Sequence, residues 1–338
     1  MNQHISLTQQ QAASLLLMQN DLRFIYTLVC HYQEIKSNYI LSSMPYIGLV
    51  IDGIEDWIAA YNNSHAIKFD IPTFTLQERK YYEKMRSCIK LGNNSYNTVY
   101  EELKHLYFLS DNYFSSICKP IAKKLRIYYI FGADLVNGYY CGNTVLCSYY
   151  VPDFDFHQHK GEEIKNLSVI AGKYAVLFQA TTPYRINAQF SFDYADYGGF
   201  IKSPVGNAFS DRFVLFSLLC QINYIIKCID EYILDETTTK LRFSYILYYY
   251  VLHILPEINR KLSTQFVMDK KWNSDAFRNA MAHYKIGVAL KNHELILSDP
   301  FYGLTQKYLH CDYKTVKDGV LRELTQLAQQ LQTWLRLL

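Results

Sequence analysis

Asn273-Ser274-Asp275-Ala276-Phe277-Arg278-Asn279-Ala280-Met281-Ala282-His283-Tyr284 is the stretch from which the C-terminal third is read. Ser274 is a helix cap, and Asp275 follows it where the positive end of the helix dipole favours a carboxylate. At about 100° per residue, Phe277, Ala280, Met281 and Tyr284 fall on one apolar stripe. The remaining sides carry Arg278, Asn279 and His283, with Ala282 between the arginine and histidine flanks. A helix that only met solvent there would more often display lysine and glutamate.

Working outward, Phe209 to Tyr232 and Thr237 to Leu262 read as two long apolar helices joined by a short polar turn. Pro256 is expected to kink or end the second. After the quoted helix, Tyr284 to Asp299 alternates around Asn292-His293, which predicts a small hairpin. Thr315 to Leu338 carries Val316, Val320, Leu324, Leu327, Leu331 and Leu335 at helical spacing. In the N-terminal part, helices are predicted within Leu7 to Ile40, Ser42 to Tyr61, Thr75 to Leu91 and Asn97 to Tyr129, the last interrupted at Lys119-Pro120. Between the two parts, glycine and proline punctuate residues 137–206. There Ile186 to Phe192 alternates like a strand, and Ile164 to Phe178 fits a helix. The expected fold is therefore mainly α. It has a helical N-terminal region (1–136), a mixed or irregular connecting region (137–206), and a helical bundle with a small β-hairpin (207–338).

Composition narrows the class. Of 338 residues, 50% are hydrophobic and 19% charged, the balance of a chain that buries a core. The net charge of +3 is too small to indicate nucleic acid by itself, so an electrostatic argument needs local patches. The 31 tyrosines are the oddity; they suit wet interfaces or base stacking, and more commonly serve as half-buried packing residues. Eight cysteines are scattered without a Cys-x-x-Cys pair, which argues against a zinc ribbon or dithiol redox motif and fits a reducing cytoplasm. Met1 to Gln11 lacks the features of a signal peptide, and the apolar runs Phe213 to Cys220 and Tyr245 to Leu255 are too short to span a bilayer, so no membrane association is expected.

The polar residues of the quoted helix suit cleavage of RNA without a metal or other cofactor. RNA supplies its own nucleophile, the 2′-hydroxyl, so a protein needs to move protons and stabilise charge. His283 titrates near neutrality and fits a general acid or base. Arg278 stays charged and offers forked donors to phosphate oxygens. Asn279 is expected to orient the histidine or bind the phosphate, and the helix N-terminus adds favourable dipoles. Lys270, Lys271 and Lys285 are candidates to hold the RNA backbone, against the simpler reading of a solvated surface.

Arg278-Asn279-Ala280-Met281-Ala282-His283 resembles the Arg-polar-x-x-x-His motif of the HEPN superfamily, in a similar order of helices covering about Phe209 to Leu338. The resemblance implies a helical bundle that dimerises and joins two Arg/His pairs in one cleft. It further implies a metal-independent ribonuclease of the kind found in toxin–antitoxin, anti-phage and CRISPR-linked systems, held in check by a neutralising antitoxin or regulatory protein. Other members only bind RNA or a partner protein. Some use an acidic residue from a preceding helix, for which Asp230 and Glu231 are the candidates here. The hairpin expected after Tyr284 departs from a purely helical bundle.

Two other constellations compete. Asp153, Asp155, His157 and His159 would share one face of an extended strand, and all four can ligate a metal; a polar loop or edge strand is the simpler reading. Asp193 and Asp196 stand in a glycine-containing stretch that fits a cation-binding turn or an ordinary one. No P-loop, nucleophile elbow or dinucleotide fingerprint occurs.

Overall fold

Long helices open the chain wherever apolar residues recur at three- and four-residue spacing. In the computed structural model, which describes residues 7–32, 39–69, 75, 76, 83, 85–88, 95–151, 161–198 and 201–337, these are α1 (Gln9–Tyr32), α2 (Tyr39–Ser64) and α3 (Tyr96–Ser116). α1 buries Met18, Leu22, Ile25 and Leu28, and α2 buries Ile47, Val50, Ile54 and Ile58. Ser95 caps α3 by accepting the Thr98 N–H at 3.2 Å. A short helix, α4 (Pro120–Lys124), restarts at Pro120, where the missing N–H costs nothing.

The middle of the chain supplies the β part. β1 (Tyr129–Val136) and β2 (Tyr139–Asn143) form a hairpin, and β3 (Phe192–Gly198) pairs antiparallel with the other edge of β1, giving the order β2-β1-β3. Asn137 and Gly138 have φ of 48° and 79°, the positive values that a two-residue hairpin turn requires. α5 (Thr144–Tyr149) and α6 (Gly161–Leu177) lie between β2 and β3. The strand expected over Ile186 to Phe192 starts only at its end, at Phe192; Ile186 makes an isolated bridge to Ile233.

The C-terminal third is helical. α7 (Asp211–Asn223) runs on into π-helical turns over Tyr224–Glu231, and α8 (Thr238–Leu262) follows. Both are apolar on nearly every side because they are central. Asp211–Glu231 is long and apolar enough by composition to cross a membrane, and 83% of its apolar window is buried in the protein interior. Pro256 does not end α8, which continues to Leu262 and stops at Ser263 in a left-handed conformation. α9 (Asp275–Ala282), α10 (Ile286–Ala289) and α11 (Leu304–Leu309) are short, and α12 (Tyr313–Leu335) closes the chain with the apolar stripe read from its sequence.

The chain is thus mainly α with a small β part, but that β part lies at 129–143 and 192–198, not at 284–299. The latter stretch forms α10, a 3-10 turn (Asn292–Glu294) and further turns. Tyr284 is buried, and after it Ile286, Ala289 and Leu290, a helical spacing, while Val288 and Leu297 of the apparent alternation are exposed. One continuous hydrophobic cluster runs from Ala13 to Leu335 and includes residues of α1, α2, the sheet and the C-terminal helices.

Candidate active site

α9 is fastened at both ends by side chains of α8. At its start, the Ser274 hydroxyl accepts the Phe277 N–H at 3.2 Å, as a cap should. The Tyr245 hydroxyl donates to the Trp272 carbonyl at 2.8 Å and accepts the Ser274 N–H at 3.1 Å, and the Tyr249 hydroxyl donates to Asp275 at 2.7 Å. At its end, Arg242 donates from Nε to the Met281 carbonyl at 2.9 Å and from Nη2 to the Ala282 carbonyl at 3.1 Å. These are the carbonyls a helix C-terminus leaves unpaired.

Arg242 is a buried charge and needs a buried partner. Its side chain is 2% exposed and that of Asp21, its ion-pair partner from α1, is 1% exposed. The Tyr284 hydroxyl donates to Asp21 at 2.6 Å and also accepts from Arg242. Tyr284 itself holds φ at 49°, where glycine is the usual occupant, so its hydroxyl contacts anchor a strained turn directly after His283.

α2 brings the acidic groups. A Cβ on Gly53 would lie 2.8 Å from the Tyr284 ring and 3.1 Å from the Ala282 carbonyl, so glycine lets α2 run close beside the end of α9. Asp52 and Asp56, one helical turn apart, then meet His283. His283 Nδ1 lies 3.1 Å from Asp56 Oδ2 and is buried, but not aligned as a formed hydrogen bond. Lys285 reaches the same Asp56 oxygen at 3.4 Å, and Arg86 pairs with Asp52.

Arg278 completes the constellation. Its guanidinium carbon lies 5.3 and 5.2 Å from the ring centres of Tyr249 and Tyr250, within cation–π range. Nη1 donates to Asn279 Oδ1 at 2.6 Å, so Asn279 orients the arginine; its Nε is buried without a hydrogen-bond partner. Leu49, Arg86, Ile246, Tyr250, Arg278, Ala282 and His283 line a pocket of about 30 Å³. That admits a water or one oxygen of a larger group, so a nucleotide would have to lie across its mouth.

Burial pushes the His283 pKa below its ordinary value; Asp56 opposes this and Lys285 reinforces it. Burial therefore favours the neutral ring, the form that accepts a proton. His283 is the C-cap of α9, so the expected favourable helix N-terminus is at the wrong end. The negative end of the dipole lies here instead and would favour imidazolium, yet desolvation prevails.

Arg278, Asn279 and His283 are thus brought together, with Lys285 beside them. Lys270 and Lys271 are exposed before the start of α9, about 12 Å of helix rise from its end. Lys271 rests over Trp272 at 4.5 Å. Asp230 and Glu231 are engaged elsewhere: Asp230 lies 3.8 Å from Lys240 and Glu231 2.6 Å from Lys227. The carboxylate at His283 is Asp56, whose signal in the sequence was an Asp52-x-x-x-Asp56 pair inside an apolar helix. Asp193 and Asp196 lie within β3 and not in a turn. Asp153, Asp155, His157 and His159 fall outside the described residues.

Ligand atoms of Asp52, Asp56 and His283 all lie within 4.8 Å of one another, close enough to share a cation. Arg86 and Lys285 already neutralise the two carboxylates and would repel a divalent ion. The set is better matched to proton transfer beside an anion. Comparison of the chain with protein-family models, curated proteins and solved structures finds no match.

Proposed function

We propose that the protein is a metal-independent endoribonuclease of the HEPN type, with no cofactor, and that His283, Asp56 and Arg278 form its reacting centre. The observation that carries this reading is His283 lining one pocket with Arg278 while its Nδ1 lies 3.1 Å from the Asp56 carboxylate. His283 takes the proton of the RNA 2′-hydroxyl as that oxygen attacks phosphorus. The 5′-oxygen leaves and takes up a proton, giving a 2′,3′-cyclic phosphate and a 5′-hydroxyl. Arg278 stabilises the charge that develops on the phosphate. Asp56 holds the ring, Asn279 holds the arginine, and Lys285 lies close enough to meet the RNA backbone. A homodimer joining two such centres, control by an antitoxin or regulatory protein, a cytoplasmic location and a role in toxin–antitoxin or antiviral defence all belong to this proposal.

A second reading has one observation in its favour. Arg278 is already bonded to Asn279 and stacked on two tyrosines, as it would be in a non-catalytic scaffold that binds RNA or a partner protein.

Incubation of single-stranded RNA with purified protein in EDTA separates the two. We expect the wild type to cleave and to leave 2′,3′-cyclic phosphate ends, and His283→Ala to be slower by about 10²–10⁴. RNA binding without cleavage, equal in both proteins, would favour the scaffold.

A further inference from the structure

The surface around α4 combines open aliphatic side chains with positive charge. Ile117 is 64% exposed, Ile121 74%, Leu125 60% and Ile127 46%. α4 buries none of its residues, so it stands out from the core. The Leu125 N–H donates to the Ile121 carbonyl at 3.0 Å, which sets these two side chains one turn apart on the same side. Lys119, Lys123, Lys124 and Arg126 are interleaved with them and exposed, and no Asp or Glu occurs from Asn112 to Ala133. Asp111, just before this stretch, approaches Arg126 at 3.9 Å.

We propose that this surface docks the protein on an anionic lipid bilayer. Aliphatic side chains on a protruding helix can enter the boundary between headgroups and acyl chains, while the lysines beside them meet lipid phosphates and carboxylates. Tyr129, 48% exposed, suits the same boundary. Nucleic acid fits less well, because isoleucine and leucine neither stack on bases nor hydrogen-bond to them. A second copy of the same face would set lysine against lysine. This is attachment at a surface through side chains of and beside α4, and it is independent of the reaction proposed for His283.

Flotation with vesicles tests it, using the full chain and vesicles of phosphatidylcholine with or without phosphatidylserine. We expect wild type to float only with phosphatidylserine present, and less so as salt is raised. Lys123→Gln/Lys124→Gln is expected to weaken binding roughly thirtyfold, at the worth of two charges near the membrane. Ile121→Ser/Leu125→Ser is expected to weaken it about tenfold or more. Circular dichroism should find both variants folded, since the substituted side chains are exposed. Failure of wild type to float, equal flotation on phosphatidylcholine alone, or unchanged flotation of both variants would overturn the proposal. RNA retention lost in the lysine variant, with no vesicle binding by wild type, would assign the surface to nucleic acid instead.

Discussion

Arg242 and Arg278 both reach α9, and their surroundings differ in kind. Arg242 lies beneath the end of the helix, 2% exposed, with Asp21, Tyr284 and two helix carbonyls taking its donors. Arg278 lies on the outer face, half-buried, with one donor given to Asn279, two tyrosine rings against it and Nε unpaired. A buried guanidinium with four of its five N–H donors taken by the protein is closed to a ligand and serves the fold. An unpaired buried donor costs about 1–3 kcal/mol, so Arg278 is held less completely than Arg242. The same residue type thus builds the scaffold in one place and, in the proposed function, meets the phosphate in the other.

Removing Arg242 is expected to have the largest effect on stability. Arg242→Ala leaves Asp21 buried without its partner and uncaps α9, and should cost about 3–5 kcal/mol in denaturant unfolding. Asp21→Leu/Arg242→Met should recover part of that loss, because it removes both charges together. Recovery to wild-type stability would mean that the two helix carbonyls contribute nothing.

Gly53→Ala tests the joint between the two regions. The added methyl meets the Tyr284 ring and should cost about 1–3 kcal/mol by overpacking. It should also lower cleavage by moving Asp56 from His283. Cleavage unchanged in a destabilised Gly53→Ala protein would disconnect α2 from the site.

The smallest effects concern pH. A base that must be neutral gives a cleavage rate that rises with pH through its own pKa, and burial sets that of His283 below the usual value. Asp56 raises it and Lys285 lowers it, so Asp56→Asn should move this limb to lower pH and Lys285→Met to higher pH. The stability sign agrees: a lowered histidine pKa means that stability present above the unfolded value is lost as pH falls through the folded one. Limbs that coincide in all three proteins would remove His283 as the base.

Much of this arrangement is legible in the sequence, and the rest is hidden for identifiable reasons. α9 is readable because a serine cap, an acidic first turn and an i, i+3, i+4, i+7 stripe agree over twelve residues. The hairpin at β1 and β2 had a signal, Asn137-Gly138, that passed as ordinary glycine punctuation. The hairpin expected after Tyr284 rested on alternation that short helical turns also produce. Tyr245, Tyr249 and Tyr250 serve packing and positioning, which accounts for part of the tyrosine excess without base stacking. The Asp52-x-x-x-Asp56 pair was visible but its place was not, because it and Arg86 approach His283 only through folding, from far along the chain. Gly53 contributes to that approach by letting α2 pass close to the end of α9.

Paired measurement of RNA cleavage in EDTA and of thermal unfolding, for Arg278→Ala and Arg242→Ala beside wild type, tests the central claim most directly. We expect Arg278→Ala to lose cleavage by about 10²–10³ while keeping its Tm, and Arg242→Ala to lose Tm. Wild-type cleavage by Arg278→Ala, or a fall in its Tm as large as that of Arg242→Ala, would contradict the division of labour between the two arginines.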